Sequence, residues 1–215
     1  MKTKSKALLL TLCAVLLVAA SVMGTMAYLT STDKVENTFT VGNVKITLDE
    51  AKVNTDGTPV TPAERVKANE YKLLPGHTYN KDPMVTVLSG SEASYIKMTV
   101  TFSKASALDA IFAPTGADLT SIFNGYDSAN WIYKGNTKDA TANTRTYEFW
   151  YKETVGAPTA DVALDALFDS ITVPGTITNK QLDTIKGMTI TVNAHAIQAD
   201  GFADADDAWD HYANN

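Results

Sequence analysis

The chain has 215 residues, with 18 Lys and Arg against 24 Asp and Glu, for a net charge of −6. That length holds one domain with a sizeable core even after a leader is removed, and an acidic chain without a basic cluster is a poor ligand for nucleic acid or anionic lipid. The single cysteine, Cys13, lies in the first 30 residues, so the rest of the chain can form no disulfide framework.

The N-terminus carries Lys2, Lys4 and Lys6, then an apolar run over residues 7–22 broken only by Thr11 and Ser21, then the small residues Gly24, Thr25 and Ala27. This is the order of a secretory signal peptide, with Thr25 and Ala27 at the −3 and −1 positions and Tyr28 as the first mature residue. The competing reading is a retained anchor, because no charge occurs over residues 7–32 and about 20 apolar residues span a bilayer. The break into small residues and the isolation of Lys34 favour cleavage. The expected protein is therefore exported, and it meets a membrane only through an uncleaved leader. Residues 28–38 are short, polar and without helical period, which predicts an extended segment.

The domain expected over 39–200 begins with alternating apolar and polar residues at 39–41 and 44–48, a strand interrupted at Gly42-Asn43. Asn54-Thr55-Asp56-Gly57 marks a turn. Thr61-Pro62-Ala63-Glu64 has the residue order that opens a short helix. Pro75-Gly76 predicts a type II turn. Residues 84–88 and 95–102 read as a hairpin or neighbouring strands about Ser89-Gly90, with Ile96, Met98, Val100 and Phe102 on the core face. Leu108, Ile111 and Phe112 space a helix over 105–113, which Pro114 ends. A second short helix or turn is expected over 118–123.

Residues 125–143 read mostly as loop around a short strand at Trp131-Ile132-Tyr133. Residues 144–152 are a strand rich in β-formers. Residues 163–168 suggest one helical turn, and Ile171-Thr172-Val173 a short edge strand before Pro174. Residues 179–185 suggest a short helix. The last strand runs over 188–197, with Met188, Ile190, Val192, Ala194 and Ala196 on its apolar face. Residues 201–215 read as an acidic, polar, solvated tail. Seven to nine short strands, two or three short helices and many turns predict an all-β two-sheet sandwich.

Motifs for chemistry are sparse. The three histidines, His77, His195 and His211, lie far apart and none sits in an H-E-x-x-H. His77 and His195 are the weak candidates for a metal site, against ordinary roles in a turn and on the polar face of a strand. No G-x-S-x-G or phosphate-binding loop occurs. The acidic residues over 200–210 miss the spacing of an EF-hand loop. Trp131, Tyr133, Tyr147, Phe149, Trp150 and Tyr151 could stack a sugar, but core roles are more common for such residues. No cofactor is expected.

Four segments carry a resemblance. Gly24-Thr25-Met26-Ala27-Tyr28-Leu29-Thr30-Ser31 and Asn37-Thr38-Phe39-Thr40-Val41-Gly42-Asn43-Val44-Lys45-Ile46 look like the start of the TasA/camelysin family of exported Gram-positive proteins. Leu29 stands where the family often has Phe. Leu74-Pro75-Gly76-His77 resembles the family's L-x-P-G-D turn, and residues 193–201 its closing strand. The resemblance implies a jelly roll, processing by a dedicated SipW-type signal peptidase, and assembly into surface or biofilm-matrix fibres. Under that implication the chain's partner is itself, joined head to tail by strand addition. The donor would be residues 28–38, with Tyr28, Leu29, Thr30 and Val35 as the assembly residues. Camelysin is classed as a metallopeptidase, so a secreted peptidase is the competing function. A monomeric surface-binding module using the aromatic face is the third.

Overall fold

The computed structural model describes residues 6, 11–17, 42–112 and 121–213. The chain divides into two units, Met1–Val41 and Gly42–Asn215. In the first unit residues 11–17 are helical and exposed. No helix among the described residues is long and apolar enough to cross a membrane. The cleavage residues Thr25, Ala27 and Tyr28, and the assembly residues Leu29, Thr30 and Val35, lie outside the described residues, as do residues 39–41.

The second unit is mostly β. Its strands are β1 (Ile46–Ala51), β2 (Arg65–Val66), β3 (Thr78–Asn80), β4 (Met84–Val87), β5 (Ser94–Ser103), β6 (Trp131–Asp139), β7 (Thr144–Tyr151), β8 (Val162–Ala163), β9 (Ser170–Thr172) and β10 (Ile190–Gln198). Among its described residues the helices are α1 (Ala105–Phe112), α2 (Asn179–Ile185) and α3 (Ala205–Ala213). One four-stranded sheet has the order β2-β1-β4-β8, a second the order β10-β5-β7-β6, and β3 pairs with β9. Every pairing is antiparallel.

The two larger sheets share one core, as a sandwich requires. Val85 and Val87 of β4 meet Ile96, Met98, Val100 and Phe102 of β5 in a single buried cluster, and all six side chains are fully buried. Period-two alternation put those β5 residues on one face, and burial follows it. Phe123 lies at the centre of an aromatic group, with ring centroids 4.7 Å from Phe168, 5.2 Å from Tyr147 and 5.8 Å from Phe102 and from Phe149. Helix α1 adds Leu108 and Phe112 to this core. A satellite cluster of Tyr79, Val173, Ile177 and Ile185 lies under α2, whose N-terminus has the reciprocal Thr178/Gln181 capping box.

Several elements differ from expectation. Residues 61–64 form no helix: the chain bends into β2, whose Arg65 pairs with Ala51 and forms ion pairs with Asp49 and Asp82. Strand pairing on β1 outcompetes a single helical turn, which is costly to nucleate. Strands β4 and β5 are not a hairpin. The turn after Val87 crosses from one sheet to the other, held by Leu88 N–H on the Lys45 carbonyl at 2.9 Å and Ser89 N–H on Asp161 at 2.9 Å. Strand β6 is three times the expected length, because Gly135 to Asp139 pair along β7 after a register shift between Tyr133 and Gly135. Residues 163–168 are extended: Leu164 N–H reaches the Val85 carbonyl at 2.8 Å and Leu167 N–H that of Pro83 at 3.0 Å, which completes the edge of β4. The expected element over 118–123 falls partly outside the described residues.

The C-terminal end is no simple solvated tail. Helix α3 buries Trp209 against the outer face of the second sheet, 6.1 Å from Trp150 between ring centroids. Lys97, on the outward side of β5, places its ammonium 4.4 Å from the Trp209 ring centre and 5.2 Å from that of Tyr212. These cation–π contacts explain how a lysine is buried there.

Candidate functional site

The histidines do not converge. His77 is the last residue of the type II turn at Pro75-Gly76, where Gly76 has φ +75° and His77 N–H returns to the Leu74 carbonyl at 3.3 Å. Its ring neighbour is Tyr79. His195 sits on β10 opposite Lys97, with Nδ1 3.0 Å from the Tyr212 hydroxyl. Burial, helped by the charge of Lys97, lowers its pKa from the ordinary histidine value. His211 lies on α3 beside Phe202. Among the described residues no group of three or more His, Cys, Asp or Glu side chains could hold a metal ion.

The aromatic residues offer no platform for stacking a sugar. Trp131, Tyr147 and Phe149 are core residues, and Trp150 is covered by Trp209 and by Lys134, whose ammonium lies 3.9 Å from its ring centre. Tyr133 packs against Phe149, and Tyr151 against Trp131. An apolar cavity beside Tyr71, Phe112, Ile185 and Ile190 has a volume of about 40 Å³. That is a packing void, since pockets for organic ligands run from about 300 Å³ upward.

Two long strands of the second sheet form its edges, β6 and β10. Strand β6 carries the devices that protect an edge from pairing. It has a register shift at Gly135, and Lys134 and Lys138 form ion pairs with Asp206 and Asp109. Strand β10 has neither a register shift nor a charged side chain. Its nine residues, ITVNAHAIQ, hold no proline and no carboxylate or lysine, and pair with β5 in unbroken register.

The backbone direction of β10 follows from its two ends. Ser103 N–H donates to the Thr189 carbonyl at 3.0 Å, and Ala199 N–H to the Ala93 carbonyl at 2.7 Å. Hydrogen-bonded pairs alternate along an antiparallel ladder. The odd-numbered residues of β10 therefore bond to β5, and Ile190, Val192, Ala194, Ala196 and Gln198 turn their N–H and C=O groups to the open side. No described strand pairs with that side. Applied to β1, where Leu88 N–H bonds the Lys45 carbonyl, the same alternation turns Ile46 and Leu48 away from β4. Strand β1 lies beside β10 at the join of the two sheets.

The described domain begins at Gly42. A polar surface depression of about 270 Å³ lies between Gly42, Glu92, Ala93, Gln198 and Asp200, so the chain enters the domain next to the last residues of β10. Sequence patterning located β10 and its apolar face. It could not single out β10 as an edge strand, because edge position is a property of topology. Against known proteins, the chain matches no family model, no curated protein and no solved structure.

Proposed function

We propose that this is an exported structural protein, released by a SipW-type signal peptidase after Ala27, that assembles head to tail into surface or matrix fibres. In this reading the sandwich is a jelly roll of the TasA/camelysin kind, and residues 28–38 of one copy add as a strand to the open edge of the next. The observation that carries it is the nine-residue edge of β10, which among the described residues is paired on one side only. An added strand would draw its affinity from the main-chain groups of Ile190, Val192, Ala194, Ala196 and Gln198. Donor and acceptor are different surfaces, so the contact does not close on itself and propagates as a filament. The donor becomes a free end only once the leader is removed, which keeps the precursor monomeric.

The test is negative-stain microscopy, with sedimentation velocity, of the purified chain beginning at Tyr28. Filaments are expected from this chain, and monomers from a chain that retains residues 1–27. A chain beginning at Tyr28 that stays monomeric at all concentrations would overturn the proposal.

A further inference from the structure

A second constellation lies away from the β10 edge, where the end of β1, the segment after β2 and the segment after β3 meet. Glu50 and Lys81 are both buried, at 6 % and 7 % exposure. Glu50 Oε2 accepts a hydrogen bond from Lys81 Nζ, while Oε1 accepts one from Asn69 Nδ2 at 2.9 Å. One carboxylate thus bridges an amine and a primary amide. Asn69 Nδ2 also donates to the Ala51 carbonyl at 2.9 Å, and Asn69 Oδ1 accepts from Val53 N–H at 3.0 Å. The surroundings are largely apolar: Lys81 shares the wall of the small cavity with Tyr71, Leu73 and Tyr79. Tyr71 and Tyr79 meet edge to face at 5.6 Å, and the Tyr71 hydroxyl donates to the Asn80 carbonyl at 3.1 Å.

A buried ion pair by itself adds little to stability and is often replaceable by apolar residues. Three features here point to chemistry as well. The amine and the amide nitrogen are hydrogen-bonded to opposite oxygens of one carboxylate. The amide oxygen is polarised by a fixed backbone donor. Water is largely kept away, because the carboxylate and the amine are both buried.

We propose that Lys81 and Asn69 form an intramolecular isopeptide bond, with Glu50 carrying the proton. Glu50 Oε2 takes a proton from the Lys81 ammonium, and the neutral Nζ attacks Asn69 Cγ. Charge developing on Oδ1 is held by Val53 N–H, as an oxyanion is held by a preorganised donor. The protonated Glu50 carboxyl, turning its O–H toward Nδ2, delivers that proton to Nδ2, and the Cγ–Nδ2 bond breaks. Of the two protons on the attacking nitrogen one stays in the new amide, and the surplus one passes to Glu50 and leaves with ammonia as ammonium, which restores the carboxylate. The new bond is Lys81 Nζ–Asn69 Cγ; nothing is oxidised or reduced. The cross-link joins the segments after β2 and β3 in a domain that has no cysteine with which to do so. It does not depend on the fibre reading.

Peptide mapping of the purified wild-type protein tests this directly. Trypsin should fail to cut after Lys81, and peptide 68–72 should appear joined to peptide 73–97 at their summed mass less one ammonia. Glu50→Gln should yield the two segments unjoined, with cleavage at Lys81 restored. Lys81→Arg should give the same result while keeping a cation at the site. Wild-type protein that releases peptide 68–72 free and is fully cut at Lys81 overturns the proposal. So does a Glu50→Gln chain cross-linked as completely as wild type.

Discussion

Asp109 ties helix α1 to the β6–β7 hairpin. Its carboxylate receives Arg145 Nε at 3.0 Å, Arg145 Nη2 at 2.8 Å and Lys138 Nζ at 2.8 Å. Burial raises its pKa, but the Arg145 and Lys138 hydrogen bonds outweigh that effect and leave it lowered. A depressed folded pKa means that the unfolded chain binds the proton more tightly. The contribution is therefore complete above the ordinary aspartate value near 3.9 and is lost as pH falls through the folded value. Asp109→Asn should cost about 1–3 kcal/mol at neutral pH, because it leaves a half-buried Arg145 short of its charged partner. Chemical denaturation at pH 7 and pH 3 measures it, and the gap between wild type and variant should narrow at the lower pH. His195 works in the opposite chemical sense. Burial and Lys97 lower its pKa, so its neutral form is favoured beside Lys97 and Tyr212, with Glu148 opposing. Stability from this site is complete above the ordinary value near 6.5 and falls as the pH drops toward the lowered one. Thermal midpoints from pH 7.5 to 5 should decline more steeply for wild type than for His195→Gln, and parallel slopes would contradict it.

At the scale of elements, the sequence was most legible where local pattern and tertiary burial agree. The alternation over Ile96, Met98, Val100 and Phe102 and the spacing of Leu108 and Phe112 each state their own structure. Strand β6 was legible only at Trp131-Ile132-Tyr133, because Lys-Gly-Asn-Thr-Lys-Asp carries no apolar alternation; its backbone is held by pairing with β7. Residues 163–168 resemble a helical turn in composition, yet the open edge of β4 takes them as extended chain. Helix α3 was hidden by its acidic residues, and only the burial of Trp209 over Lys97 reveals why it docks. The β10 edge makes the sharpest test at this scale. Ala194 turns its N–H to the open side, so Ala194→Pro removes an edge donor without removing a bond to β5, the one setting in which a strand accepts proline. The variant should keep a β-rich circular dichroism spectrum. Its assembly should weaken by about tenfold or more, since leaving the opposing acceptor unpaired costs about 1–3 kcal/mol per junction. Fibre formation equal to wild type would move the acceptor away from β10.

For the whole molecule, the proposed donor precedes in sequence the residues that build the described core. The buried cluster that joins the two sheets runs from Val85 to Ile171, all within the unit that begins at Gly42. A chain beginning at Gly42 should therefore fold, while losing the donor that the proposed fibre requires. Leu29 is the one aliphatic side chain before Val35 in that segment, so it is the natural apolar anchor. Leu29→Asp should cost about 2–3 kcal/mol per junction from lost burial, whereas a charge at an outward-facing donor position should cost little, because the ladder is made by the backbone. The ranking is specific to strand addition: deletion most severe, Leu29→Asp next, an outward charge least. Lateral packing of intact domains would leave the deletion as competent as wild type. Sedimentation velocity on the chain from Tyr28, the chain from Gly42 and Leu29→Asp, at equal concentration, distinguishes the two. Filaments of normal length from the chain that begins at Gly42 would exclude a donor strand.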